Sequence, residues 1–218
     1  MKQTLYILVI SLFTGHYLMG AEKSVILAGG CFWCMEKPFE QINGVKSVTS
    51  GFSGGETINP SYKEVSSGST KHIEVVKIIY DDQKVSFYEL LKVFWQQVNP
   101  TDSGGQFVDR GHQYTTAIFY NNEMEKKIAE EFKTNLNNLK IYPKTVITPI
   151  RGAMPFYSAE EYHQDYYKKN PVRYWYYRNG SGRDKYLKSV WSKENKEKYE
   201  NAFNKKRTKI ANSDTKTK

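Results

Sequence analysis

Cysteine is nearly absent: the 218 residues contain two, Cys31 and Cys34. That scarcity excludes the disulfide-dense scaffolds of small secreted domains and a four-cysteine zinc site. Histidine is sparse too, and His72, His112 and His163 are too scattered to complete a zinc finger with the two thiols. Apart from one stretch at the N-terminus, no segment is apolar enough to span a bilayer. There is no internal repeat. What is present is 39% hydrophobic and 25% charged residues, enough to bury the core of one ordinary globular domain. The 17 tyrosines are spread along the chain, so much of that core and its polar pockets should be tyrosine-lined.

Acidic residues are outnumbered, 23 against 32 Lys and Arg, giving a net charge of +9. Such an excess would suit nucleic acid or an anionic membrane, but it is largely collected in residues 193–218. It is read as a property of the tail, and no nucleic-acid partner is expected. At the other end, Lys2, an apolar run over residues 5–13 and the small pair Gly20-Ala21 precede the charged Glu22-Lys23. A positive start, a short apolar stretch and small residues at its end read as a signal peptide over residues 1–21. An N-terminal anchor is the alternative. Either reading exports the domain to the periplasm or cell envelope.

Residues 24–28 form a short apolar run that stops at Gly29-Gly30, and residues 32–42 carry helix-compatible apolar spacing: strand, glycine turn, helix. Further strands are expected over residues 45–53, 72–80, 115–120 and 144–149. Helices are expected after an N-cap at Ser86 to about Val98, and from Asn122 or Glu123 to about Leu139. Residues 157–170 look helical, with Pro171 as the stop. Strands interleaved with helices predict an α+β sandwich with a mixed or antiparallel sheet. The domain is assigned to residues 22–191. Residues 192–218 read as a basic, largely disordered tail, disordered from about Lys205 onward.

A bridge between Cys31 and Cys34 would close too small a loop to add much stability, so the spacing points to redox chemistry. Cys31 follows two glycines at the start of a helix, where free N–H groups and the helix dipole favour an anion and should lower its pKa. A buried, inert cysteine is the bland alternative.

The neighbours of Cys31 narrow this choice. Gly30-Cys31-Phe32-Trp33 followed by Met35-Glu36 resembles the signature of the A-type methionine sulfoxide reductases. Similar stretches follow in family order: Asn59-Pro60-Ser61-Tyr62-Lys63-Glu64-Val65, His72-Ile73-Glu74, Asp109-Arg110-Gly111-His112-Gln113-Tyr114, and Ala159-Glu160-Glu161-Tyr162-His163-Gln164-Asp165-Tyr166 with Asn170-Pro171 after it. Ordered matches are far more specific than any one alone.

The resemblance implies a two-layer sandwich with a split β-α-β, ferredoxin-like core, and thiol-dependent reduction of the S-epimer of methionine sulfoxide, protein-bound or free. Reducing a sulfoxide requires a thiolate on sulfur while the oxygen gains protons. The resemblance nominates Cys31 as nucleophile, Glu74 as acid, and Tyr62 and Tyr114 as hydroxyls on the oxygen. Phe32 and Trp33 would enclose the methyl group, and Asp109 would fix the substrate backbone; a turn aspartate is the plainer reading of Asp109.

Many family members resolve the sulfenic acid with cysteines in a C-terminal segment, but this chain has none there and carries Cys34 where glycine is common. Cys34 is therefore the expected resolving residue, forming a disulfide that a thioredoxin-like donor reduces. No metal or organic cofactor is needed, and the enzyme is expected to be a monomer. Two other readings stay open at this point. One is a thioredoxin-like oxidoreductase built on the C-x-x-C pair. The other is a basic binding module that uses the tail and the aromatic cluster from Tyr174 to Tyr177. Aromatic core or domain closure is the preferred use of that cluster.

Overall fold

The computed structural model describes the backbone of residues 22–214 and the side chains of residues 22–204; the leader read over residues 1–21 and the last four residues of the tail lie outside that range. Strand β1 (Glu22–Gly29) leads through the glycine turn to helix α1 (Trp33–Glu40), then to β2 (Val45–Ser53). The short helix α2 (Tyr62–Ser66) precedes β3 (Ile73–Asp81) and α3 (Phe87–Trp95). Both α2 and α3 begin with a capping box, Ser61 with Glu64 and Ser86 with Glu89, which satisfies N–H groups at the helix start. A two-residue hairpin, β4 (Gly105–Gln106) with β5 (Asp109–Arg110), organises the polar loop before β6 (Thr116–Tyr120) and the long helix α4 (Glu123–Leu139).

The main sheet runs β7-β6-β1-β3-β2-β8, with β7 spanning Ile150–Gly152 and β8 spanning Tyr157–Ser158. β3 lies antiparallel between β1 and β2, and β6 pairs antiparallel with the other side of β1. The units β1-α1-β2 and β3-α3-β6 each join parallel strands with another strand inserted between them. That is the expected split β-α-β core of an α+β fold, and the parallel β6–β7 pair makes the sheet mixed. Strand alternation then sorts the side chains. Val76, Ile78 and Tyr80 join Leu27 and Ile118 in the main core with the helices, whereas Ile73 and Val75 pack with Ala28, Ala117 and Phe119 on the opposite face beneath Met154 and Phe156. Glu74 shares the parity of the first set, so the pleat turns its carboxyl toward α1.

Three sequence expectations are corrected. Residues 144–149 are not a strand: Val146 donates to the side chain of Asn137 and Ile147 to Pro100 O, and the ladder to β6 begins only at Ile150, after a proline that has no N–H to give. Residues 157–170 are not one helix. Tyr157 and Ser158 pair with Phe52 and Gly51 at the sheet edge, Glu161–His163 is a single 3-10 turn, and Asp165 has a left-handed φ of 54°. After that break come α5 (Tyr166–Lys169) and α6 (Pro171–Gly180), so Pro171 opens a helix at its first position instead of stopping one.

The third correction concerns the tail. Following α7 (Arg183–Val190), helix α8 spans Lys193–Asp214, and Tyr199 and Phe203 are fully buried against Phe132 and Tyr88 of α4 and α3. The folded domain thus continues beyond 191.

Candidate active site

Cys31 lies in the turn between β1 and α1, 7% exposed. Gly30 holds that turn with φ +80°, and a Cβ there would come within 2.5 Å of Gln106 Cβ, so the residue before the thiol is confined to glycine on two grounds. Phe32 is the N-cap of α1 and has no side-chain cap; instead its N–H donates to Glu74 Oε2 at 3.0 Å. A carboxyl from β3 thus occupies the N–H beside the thiol.

Glu74 is 1% exposed. Burial raises its pKa to about 8, outweighing the Phe32 hydrogen bond, which lowers it. At neutral pH the group is mostly protonated, with a proton to give. Tyr62, at the start of α2, and Tyr114, at the end of a 3-10 turn over His112–Tyr114, are hydrogen-bonded to one another. Burial pushes Tyr62 up to about 12 and raises Tyr114 as well, so both hydroxyls keep their protons and can donate.

These groups meet in one cavity of about 110 Å³ lined by Cys31, Phe32, Trp33, Tyr62, Glu74, Asp109, Tyr114 and Tyr177. Seven of the eight were nominated from the sequence. Trp33 stacks on Tyr166 at 3.7 Å between ring centroids and meets Tyr177 edge-on at 5.6 Å. The cavity therefore has an aromatic wall and a polar end made of one carboxyl and two phenols.

Tyr177 is the lining residue that sequence reasoning missed. Its hydroxyl donates to Asp109 Oδ2, across 68 residues of chain. The only sequence signal was its membership of the aromatic cluster from Tyr174 to Tyr177, which offered a stacking surface or core as readings. The cluster divides by helix face: Trp175 and Tyr176 are exposed, while Tyr174 and Tyr177 turn inward. His163 accepts from Trp33 Nε1 through Nδ1 at 3.2 Å and packs between Phe32 and Tyr62. Burial lowers its pKa, consistent with a neutral ring that carries its proton on Nε2.

Cys34 lines no part of the cavity. It is fully buried in the first turn of α1, hydrogen-bonded through its thiol to Cys31, and both cysteines are free thiols. The expected depression of the Cys31 pKa is not found. Burial raises it, with the hydrogen bond to Cys34 and the neighbouring acidic groups adding to the effect, and the Phe32 N–H at the helix start donates to Glu74. The lowered thiol is Cys34, at about 6, through its hydrogen bond from Cys31 and the nearby Arg183 and Arg178. No group of three or more His, Cys, Asp or Glu among the described residues could hold a metal ion.

The chemistry of this cavity agrees with what comparison with known proteins finds. Residues 23–195 match the family model for peptide methionine sulfoxide reductase. The chain is 52% identical over 179 residues to the peptide methionine sulfoxide reductase MsrA of Bacillus licheniformis, covering 81% of this chain and 99% of the relative. It is 51% identical over 174 residues to MsrA 2 of Staphylococcus aureus, covering 80% and 98%. Among solved structures, it resembles reduced Mxr1 of Saccharomyces cerevisiae, with a TM-score of 0.61, 31% identity, and coverage of 69% of this chain and 87% of that one. Methionine sulfoxide reductase A of Corynebacterium diphtheriae follows with a TM-score of 0.59, 29% identity, and coverage of 69% and 76%. A match across most of the chain, with half of the aligned residues identical, establishes that this chain belongs to the peptide methionine sulfoxide reductase family.

Proposed function

We propose that this member of the family reduces the S-epimer of methionine sulfoxide with Cys31 as nucleophile and Glu74 as proton donor. The observation that carries the assignment is the 110 Å³ cavity in which a thiol, a buried carboxyl with a pKa raised to about 8 and two phenol donors converge. Phe32 and Trp33 take the methyl and side-chain end. Tyr62 and Tyr114 hydrogen-bond the sulfoxide oxygen while Glu74 protonates it, and Asp109, held by Tyr177, fixes the substrate backbone.

Attack by the Cys31 thiolate on the sulfoxide sulfur, with one proton from Glu74, yields methionine and a Cys31 sulfenic acid. Cys34 then displaces water from that sulfenic acid to give a Cys31–Cys34 disulfide. Its thiol is already hydrogen-bonded to Cys31, which supports the short route. A thioredoxin-like dithiol returns the pair to the reduced state, and repair of oxidised proteins in the periplasm or cell envelope follows from the leader-like N-terminus.

The test is thiol-dependent reduction of dabsyl-methionine S- and R-sulfoxide, with mass spectrometry of enzyme treated with substrate and no reductant. S-selective turnover abolished by Cys31→Ser, together with a bridged Cys31–Cys34 pair in the unaltered protein, is the expected result. A persistent Cys31 sulfenate beside a free Cys34 would remove Cys34 from the cycle and require an external resolving thiol.

A further inference from the structure

Of the run from Asp109 to Tyr114, the reaction described above uses the two ends and leaves His112 and Gln113 without a part. Both precede Tyr114 in the 3-10 turn His112–Tyr114. A single 3-10 turn has too few hydrogen bonds of its own to hold a side chain in a fixed place. Here both neighbouring side chains leave the turn for other elements. Gln113, 8% exposed, donates from Nε2 to the carbonyl of Ser66, the last residue of α2, at 2.8 Å. His112 reaches Lys71 O, two residues ahead of β3, through Nε2 at 3.1 Å; facing a carbonyl, that nitrogen must carry the ring proton.

The destinations of these two bonds matter. α2 begins with Tyr62, and β3 carries Glu74 as its second residue. The two residues beside Tyr114 therefore bind the turn to the element that bears the other phenol and to the element that bears the acid. The chain is shaped locally for the purpose. At the end of α2 the N–H groups of Ser67, Gly68 and Ser69 close on the carbonyls of Lys63, Val65 and Glu64, and Gln113 takes the next carbonyl, that of Ser66. Gly111 has φ +122°, and a Cβ on it would fall 2.5 Å from Gln113 Oε1, so glycine is what lets the Gln113 side chain fold back past its own turn.

We propose that Gln113 and His112 are positioning residues that set the spacing of Tyr114, Tyr62 and Glu74 around the sulfoxide oxygen, by tying the turn to α2 and to β3. This deepens the reductase reading and rests on it. Tyr62, Glu74 and Tyr114 line the same cavity but arrive on three separate elements, and they must converge on one oxygen at about 2.7–3.1 Å each. A displacement of about 1 Å can cost on the order of a hundredfold in rate. Neither tie touches Phe32, Trp33 or Asp109, which hold the rest of the substrate, so loosening the ties should slow the chemical step and leave binding in place.

The experiment is single-turnover reduction of dabsyl-methionine S-sulfoxide by the full chain, read as a rate at saturation and a half-saturating concentration. Gln113→Met keeps the length of the side chain and removes its donor; the saturated rate should fall by about tenfold or more. The half-saturating concentration should stay within about twofold, because only an interaction made in the transition state is lost. His112→Ala should slow the same step, and His112→Gln, which returns an N–H toward Lys71 O, should recover most of the rate. Each change is then repeated in a chain that already carries Tyr62→Phe and Tyr114→Phe. With no phenol left to misplace, Gln113→Met and His112→Ala should there cost less than about twofold, whereas a general loosening of the fold would multiply through unchanged.

Equal fold-losses in both backgrounds, a Gln113→Met rate equal to that of the unaltered protein, or a loss confined to the half-saturating concentration overturns the inference. If Gln113→Met does not fold, the exposed His112 carries the same test through His112→Ala and its recovery by His112→Gln. S-sulfoxide turnover by the unaltered protein is measured alongside. An active unaltered enzyme whose variants lose equally in both backgrounds sinks only the roles of Gln113 and His112, whereas an inactive one sinks the reductase reading beneath them.

Discussion

At Glu74 two influences compete, and burial wins over the Phe32 hydrogen bond, leaving the pKa at about 8. Proton donation should therefore weaken as pH climbs through 8. Glu74→Gln keeps an oxygen to accept from Phe32 but has no acid proton, so single-turnover sulfoxide reduction should fall by about a hundredfold or more, the usual scale for losing a general acid. The loss of rate above pH 8 that belongs to Glu74 should vanish with it. A Gln variant with the wild-type rate and the same alkaline limb would remove Glu74 from proton transfer. Glu36 shows the same physics without the chemistry. Its Oε1 accepts from Ser50 Oγ and Asp165 N–H, its Oε2 has no partner, and burial raises its pKa from 4.5 to about 7. Because the folded value is the higher one, the native state holds a proton that the unfolded chain has lost between those two values, and stability falls as pH rises through the window. Glu36→Gln should flatten the slope by up to about 1.4 kcal/mol per pH unit, one proton's worth; urea unfolding from pH 5 to 7 that gives parallel lines for both proteins would contradict this. Cys31, Glu74, Tyr62 and Tyr114 were legible in the sequence because each sits inside an ordered motif. Tyr177 and Arg183 were not, since their partners Asp109 and Gly29 lie 68 and 154 residues away and no local pattern encodes those contacts.

Elements were readable where local signals and tertiary packing agreed. At α3 the Ser86-x-x-Glu89 box and the apolar face were both visible, and both are used: Leu90, Leu91 and Phe94 are fully buried. Ser86→Ala should cost about 1 kcal/mol in urea unfolding, the ordinary worth of an N-cap. α8 shows the opposite situation. Residues 193–204 hold three apolar side chains, Tyr199, Ala202 and Phe203, a stripe too narrow for a composition-based reading to separate from a solvated tail. Three-dimensional contacts make the stripe sufficient. Phe203 stacks on Phe132 at 4.1 Å and its carbonyl accepts from Tyr88 Oη at 2.7 Å, while Tyr199 packs edge-on against Trp191 at 4.9 Å. Phe203→Ala should lower the unfolding free energy by about 3–5 kcal/mol, as for other buried phenylalanines. A change near zero would return this segment to the status of a tail.

At the scale of the whole molecule, the site is assembled from segments that are remote in sequence: the turn after β1, the start of α2, the start of β3, the β4–β5 hairpin with the 3-10 turn after it, and α6. The helices after Pro171 close over the β-α-β core and contribute Tyr177 to the cavity, Arg178 at Cys34 and Arg183 beneath the turn. Fold class was legible because strand and helix periods alternate cleanly up to Leu139. The wrapping by α6, α7 and α8 was not, because their buried residues are few and their partners are elsewhere. That wrapping couples catalysis to global stability. α8 contacts α3 and α4 through Tyr88 and Phe132, and α4 packs on β6 and β7, so loosening the last helix should propagate through the core before it reaches Cys31. Urea titrations followed by helical circular dichroism and by sulfoxide reduction should therefore share one midpoint, as expected for a single cooperative domain. Phe203→Ala should move both midpoints down together. Activity that is lost at a lower urea concentration than helix content, or that is insensitive to Phe203→Ala while the helix melts earlier, would mean that the C-terminal helices open independently of the catalytic core.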